Sequence, residues 1–211
     1  MIEDIIFTQI KNMKKNLTKR VKKCLLCTNG KLKKIFSLGN LFVSNFVSKN
    51  QIYKGAKAPL TLMYCPECSL LQLSHIAPQE LMYKRFYWYR SSVTKTMRDG
   101  LKDIFKESLK HVFLEKNDVV LDIGANDGTL LKYYKQKKLK TIGCEPAKNL
   151  TKQLRKNCHF VLDNFWSNNK LEKIIIKNQL KKPKIITAIG MFYDLEDPNK
   201  FIRDASLALD D

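Results

Sequence analysis

Between Val93 and Val112 the apolar residues Met97, Leu101, Ile104, Phe105, Leu109 and Val112 recur at three- and four-residue intervals. That spacing puts them on one face and predicts a long amphipathic helix. The pattern then changes. Asp118-Val119-Val120-Leu121-Asp122-Ile123 reads as a strand running into Gly124-Ala125-Asn126-Asp127-Gly128, after which TLLKYYKQKK resumes helical spacing. Three more strands are predicted: Lys140 to Cys144, ending in Glu145-Pro146; His159 to Asp163, followed by Asn164-Phe165-Trp166; and Lys184 to Ala188, ending at Ile189-Gly190-Met191-Phe192-Tyr193. The closing PNKFIRDASLALDD carries Phe201, Ile202, Ala205, Ala208 and Leu209 at helical spacing. Alternating strands and helices argue an α/β domain, a doubly wound parallel sheet with its ligand at the carboxyl ends of the strands.

The amino-terminal part has a different texture. KLKKIFSLGNLFVSNFV and APLTLMY read as short strands, Leu70 to Leu73 as another, and Pro78-Gln79-Glu80-Leu81 as the start of a short helix. Around them stand two CxxC pairs, Cys24/Cys27 and Cys65/Cys68, separated by 37 residues. A CxxC turn aims two thiolates at one ion, and two such turns complete the closed tetrahedral set of structural zinc, with iron the main competing ion. Four thiolates leave no open position, so a catalytic zinc is disfavoured. His75 reads as a strand-end histidine and not a fifth ligand. Cys144 and Cys158 stand alone. The predicted organisation is a basic extension over residues 1–20, a small zinc-ribbon-like domain over 21–82, and the α/β domain over 83–211.

Of 211 residues, 39 are Lys or Arg and 20 are Asp or Glu, a formal charge of +19. The lysines are scattered through every segment and are not interleaved with aromatics along one stripe. That pattern fits a lysine-favouring genome better than a nucleic-acid surface, so nucleic acid is an unexpected partner. The densest basic cluster, Lys11 to Lys34, reads as a solvated arm. No apolar run reaches the ~18 to 20 residues of a membrane span. No secretory signal pattern opens the chain, and a cytoplasmic location is expected.

The glycine turn does not have the GxGxxG spacing of a dinucleotide site. Gly124 and Gly128 nonetheless permit tight backbone geometry, and the helix that follows offers free N–H groups. About 20 residues further on, at the end of the second strand, Glu145 is placed to accept both hydroxyls of a ribose.

These residues resemble the S-adenosylmethionine-dependent methyltransferases, Rossmann-like enzymes, and within them the sugar C-methyltransferases that carry an amino-terminal zinc-binding domain. LDIGANDG is similar to the family's first cofactor motif and GCEP to its acidic second motif. YCPECSLLQL, SLGNLFVSNFV and FYWYRSSVT are similar to the second knuckle, the stretch between knuckles and the segment before the catalytic domain. The resemblance extends from about Cys24 to the last residue. It implies S-adenosylmethionine and structural zinc as cofactors and a nucleotide-linked keto-sugar as acceptor, in deoxysugar or surface-polysaccharide synthesis. By the same resemblance, Asp122, Gly124 and Gly128 shape the methionine and ribose pocket, with Ala125, Asn126 and Asp127 at its rim. Glu145, followed by Pro146, holds the ribose. Asn164 and Phe165 lie near the adenine, Met191, Phe192 and Tyr193 beside the sulfonium, and Tyr87 and Tyr89 towards the acceptor, with Tyr87, Tyr89 and Tyr193 the candidate catalytic residues.

The complete family fold has seven strands, of which four are legible here, so the sheet is expected to be partial. A companion chain supplying the other strands is an expected partner. The His/Glu/Tyr cluster that the family uses on the sugar carbon is absent, and Asp194 stands where the sugar enzymes often have histidine, which leaves C- and O-methylation open. His75, His111 and His159 are all given structural readings. Two other readings stay beside the enzyme: an incomplete fragment acting only with its companion, and a zinc-ribbon protein on nucleic acid.

Overall fold

The computed structural model describes residues 18–43, 49–50, 57–84 and 86–210. Most of the expected basic extension and the SNFV end of the inter-knuckle stretch lie outside the described residues. The chain divides into two compact units, Met1–Met82 and Tyr83–Asp211. A five-residue π-helical turn, Glu80–Lys84, carries it from one into the other; the sequence places a short helix start at this point. Among the described residues no helix is long and apolar enough to cross a membrane.

The first unit is built from short strands. β1 (Lys19–Arg20) pairs antiparallel with β5 (His75–Ile76), so two residues read from sequence as the end of the extension are part of the fold. β2 (Lys33–Phe42), β3 (Lys57–Tyr64) and β4 (Leu71–Leu73) form an antiparallel sheet in that order. β2 is one long irregular strand, with register shifts between Lys34 and Phe36 and between Ser37 and Asn40. Gly39, at φ 75°, sits in the second irregularity, where a left-handed residue re-aims the strand.

In the second unit, α1 (Lys95–His111) begins at an N-cap, Thr94, whose side chain accepts from the Met97 N–H. Then follow β6 (Val119–Ile123), α2 (Thr129–Gln136), β7 (Lys140–Cys144), α3 (Lys148–Asn157), β8 (Phe160–Leu162), α4 (Asn168–Asn178), β9 (Pro183–Thr187) and α5 (Pro198–Ala208). The four strands are all parallel, in the order β8-β7-β6-β9. Because β6 comes first in the chain yet lies inside the sheet, the connections diverge from its carboxyl end, the topological switch point at which such sheets bind ligands.

Alternation along β6 divides the core. Val120 packs with Leu101 and Phe105 of α1, Leu130, Leu131 and Tyr134 of α2 and Leu154 of α3. Val119, Leu121 and Ile123 pack on the opposite face with Leu171 of α4 and Phe201 and Ala208 of α5. Each fully buried Leu or Ile in these layers contributes about 1.5–3 kcal/mol of apolar transfer. The amino end of the sheet is held by Asp118, a buried carboxylate that accepts from the Glu115 N–H at 2.8 Å and pairs with Lys181 at 3.0 Å and Lys184 at 3.1 Å. Burial pushes this carboxyl up, but the Glu115 N–H and the two ammonium groups outweigh it and hold it at about 2.

Candidate functional site

The two cysteine pairs of the first unit meet. Their four sulfurs lie within 4.8 Å of one another, with Cys24 to Cys68 and Cys27 to Cys65 both at 3.5 Å. Tetrahedral zinc with Zn–S bonds near 2.3 Å needs sulfurs about 3.8 Å apart, so the donor set fits that ion. The two knuckles repeat one backbone design. Cys24 N–H donates to Asn29 C=O and Thr28 N–H to Cys24 C=O; Cys65 N–H donates to Leu70 C=O and Ser69 N–H to Cys65 C=O. Thr28 and Ser69 close these turns at φ 63° and 61°.

Against the upward push of burial, the backbone N–H groups of Cys27 and Leu26 and the thiol of Cys68 bring Cys24 down to about 7. Cys27, despite a backbone hydrogen bond at Asn29, is driven up by burial and by the neighbouring thiols of Cys65, Cys68 and Cys24. One thiolate is tolerated and the next is opposed, which is the charge problem that a bound divalent cation removes. Gln72 of β4, itself buried, braces the first knuckle: its Oε1 accepts from Leu25 N–H at 2.9 Å and its Nε2 donates to Lys23 C=O at 3.3 Å. His75 bonds to Ser74 through Nδ1 and stays outside the cluster.

In the second unit the glycine turn and the acidic second motif come together. Gly124 and Ala125 both donate their N–H to Cys144 C=O at the end of β7. The next residue, Glu145, is buried; its Oε2 accepts from Asn126 N–H at 2.9 Å and its Oε1 from Ala147 N–H at 2.8 Å. Burial pushes this carboxyl up, and the two backbone N–H groups pull against it. Each oxygen retains a lone pair for a hydroxyl donor. Asp122, also buried, accepts from Thr187 Oγ1 at 2.6 Å. Burial pushes it up to about 7, a shift the Thr187 bond opposes and the Glu145 charge reinforces.

The glycines have separate reasons. Gly124 (φ 75°) lies against Met191, whose Cγ would be 3.0 Å from an added Cβ, so the turns after β6 and β9 approach closely. At Gly128 (φ 79°) a Cβ would meet Leu154 Cδ1 and Asn157 Cβ at 2.9 Å. That glycine lets α2 pack on α3.

A segment preceding α1 is laid across these loop tips by hydrogen bonds. Tyr83 Oη donates to Asp194 Oδ2 at 2.7 Å. Tyr87 exchanges two bonds with Asn149, N–H to Oδ1 at 3.0 Å and C=O from Nδ2 at 2.9 Å. Asn126 Nδ2 donates to Tyr89 C=O while its Oδ1 accepts from Ser91 N–H, and Asp127 Oδ2 accepts from Ser92 N–H. The side chains of Asn126 and Asp127, expected at the cofactor rim, are thus engaged with the strap. Asp127 Oδ1 also accepts from Thr129 N–H and Oγ1 at the start of α2.

The remaining expected residues occupy the same end of the sheet with different exposure. Pro146 is half-buried between Glu145 and Ala147. Asn164 C=O accepts from Cys144 Sγ at 3.3 Å, and the Lys84 ammonium lies 6.0 Å over the Phe165 ring. Phe192 packs edge-on against Phe201 of α5 at 5.6 Å. Tyr89 is held by its backbone and leaves its side chain exposed, and Tyr193 is 79% exposed. His111 pairs with Glu107 on an exposed face of α1, and His159 bonds to Thr141 at the amino end of the sheet. Asn149, Gln72 and the Tyr83–Asp194 pair had no signal in the sequence.

Both parts of the chain match known protein families. The family model described as "Putative zinc binding domain" matches residues 24–83, and the one described as "Methyltransferase domain" matches residues 89–211. The C-methyltransferase NovU of Streptomyces niveus is 20% identical over 137 residues, 64% of this chain and 32% of that relative. The chain therefore spans about a third of the length of the curated relative it matches. Among solved structures, the plantazolicin methyltransferase BamL, in complex with a triazolic desmethylPZN analog and SAH, is 20% identical with a TM-score of 0.42, over 56% of this chain and 44% of that one. A SAM-dependent methyltransferase from Geobacter sulfurreducens, in complex with S-adenosyl-L-homocysteine, is 13% identical with a TM-score of 0.38, over 64% of this chain and 53% of that one. With the methyltransferase model spanning more than half of its residues, the chain belongs to the methyltransferase-domain family, in a form that carries a four-cysteine zinc-binding unit on its amino-terminal side.

Proposed function

We propose that this chain binds S-adenosylmethionine at the carboxyl ends of β6 and β7 and serves methyl transfer to a nucleotide-linked sugar in the cytoplasm. The observation that carries the reading is Glu145. Its carboxylate is buried, both oxygens are oriented by backbone N–H groups, and it faces the glycine turn across two hydrogen-bonded strand ends. A carboxylate so held is preorganised for a ribose diol. When bound, the cofactor supplies a methyl group on a sulfonium, a donor that needs chiefly an aligned nucleophile at near-attack distance.

The roles of this chain's residues follow from their places. Glu145 holds the ribose, the Gly124 and Met191 loops flank the methionine part, and Asn164 and Phe165 border the adenine. Tyr83 and Tyr87 supply hydroxyls on the acceptor side. Burial drives both phenols up, Tyr83 further through its bond to Asp194 and Tyr87 through the charges of Tyr193, Asp194 and Glu145. Both stay protonated: the Tyr83 hydroxyl donates to Asp194, and the Tyr87 hydroxyl is the one that donates to an acceptor oxygen. That role suits a carbonyl whose oxygen gains charge as a neighbouring carbon is deprotonated. The sugar reading is supported by the coupling of a four-cysteine unit to this domain and by the similarity to a C-methyltransferase.

Calorimetric titration of the zinc-loaded chain with S-adenosylmethionine and S-adenosylhomocysteine tests the cofactor site. Saturable binding is expected, and Glu145→Ala should weaken it by about 1–3 kcal/mol, the scale of one lost charged hydrogen-bond partner. Unchanged affinity in that variant removes Glu145 from the role. A second reading, that a companion chain completes the sheet, is favoured by β9, which among the described strands pairs with β6 alone. It predicts that cofactor binding appears or tightens only when the companion is co-expressed.

A further inference from the structure

Asn149 is the residue that the sequence motifs pass over and the geometry singles out. It stands in the first turn of α3, four residues beyond Glu145, and its amide turns one acceptor and one donor to the same distant residue. Oδ1 accepts the Tyr87 N–H and Nδ2 donates to the Tyr87 C=O, at 3.0 and 2.9 Å. Satisfying both backbone groups of one residue with a single planar amide fixes the plane of that residue and the direction in which its side chain leaves the chain. Asn126 supplies a second clamp two residues on, at Tyr89 C=O. The same Asn126 donates its own N–H to Glu145.

The Tyr87 ring lies 5.7 Å from that of Tyr83, whose hydroxyl is bonded to Asp194 in the turn after β9. The Tyr87 phenol is therefore held beside the pair that reaches the Phe192–Asp194 turn, near enough to Tyr193, Asp194 and Glu145 to feel their charges. We infer that Asn149 is a positioning residue: by clamping the backbone of Tyr87 it seats the phenol where the acceptor meets the methyl group. The inference rests on the cofactor reading above. A group that must donate to a reacting oxygen has to be held within about 0.5 Å of its place, which loop backbone without such a clamp does not achieve.

The test places 3-fluorotyrosine at position 87 of the full, zinc-loaded chain and follows its fluorine resonance with and without S-adenosylhomocysteine, beside calorimetric binding of the same ligand. In the wild-type background the resonance should be displaced from that of free fluorotyrosine and should shift on ligand binding. In Asn149→Ala it should collapse towards the free position and lose its response, while ligand affinity is retained. Asn149→Asp, which keeps the acceptor for Tyr87 N–H and loses the donor to its C=O, should fall between them, and it carries the test if the alanine variant does not fold. A resonance that still responds to ligand in both variants overturns the positioning role alone. Absence of ligand binding by the wild-type chain, with the resonance still displaced, sinks the cofactor reading and the positioning role with it, leaving Asn149 as an anchor of the strap.

Discussion

The two units reach order by opposite routes. In Tyr83–Asp211 two apolar layers sandwich a parallel sheet, and Val119, Val120, Leu121 and Ile142 have no exposed surface at all. Among the described residues of the first unit the buried ones are Cys24, Cys65, Gln72 and Ser74: two ligands, the brace of a knuckle and a strand-end serine. Every position of β2 is exposed, Phe36, Leu38 and Phe42 included. What an apolar core does in one unit, four sulfurs and an ion do in the other, as small domains without enough interior require.

The contrast is sharpest in metal dependence. Chelation, or Cys65→Ser, should abolish hydrogen-exchange protection across β2, β3 and β4 while leaving that of β6 and β7 intact, since a structural zinc contributes on the order of 10–16 kcal/mol of binding free energy to folding. Retained protection in the metal-free first unit would break the comparison. Next in size, Leu121→Ala should cost the second unit about 2–5 kcal/mol by leaving a cavity between β6 and α4. Thermal melts should show that loss with zinc affinity unchanged.

Acid should separate the units as well. Asp118 has a folded value near 2, below that of an unfolded aspartate, so its contribution is complete above about pH 4 and is lost as pH falls towards 2. Asp118→Asn should lower stability at neutral pH by about 1–3 kcal/mol and flatten the melting temperature across that acid window. The smallest effect is expected for Gln72→Ala, about 1 kcal/mol, read as easier zinc loss to a competing chelator. An equal change in the melt of the second unit would contradict the separation.

Much of this was legible along the chain. The strand-turn-helix at Ile123 to Thr129, the helix after Thr94 and the two CxxC pairs all depend on residues close in sequence, where periodicity and spacing carry the information. The strap was not legible. Tyr83 to Asp194 spans 111 positions and Tyr87 to Asn149 spans 62, and an asparagine that clamps a distant backbone looks the same in sequence as one that caps a turn. Asn126 shows the limit from the other side. Its place in the motif was readable, but the direction of its amide, away from Glu145 and towards Tyr89 and Ser91, depends on a segment folded over it. At Gly128 the packing reason, the close approach of Leu154 and Asn157, likewise comes from a distant helix and has no local signal.

The cross-pairing of sulfurs has a topological meaning. The nearest thiol neighbours are Cys24 with Cys68 and Cys27 with Cys65, residues from opposite knuckles, separated by 44 and 38 positions. Whatever binds those sulfurs joins the beginning of the unit to its end and threads β2 and β3 into a closed loop. The ion is therefore a latch on the connectivity of the chain as much as a substitute for a core, and its departure opens the whole circuit at once.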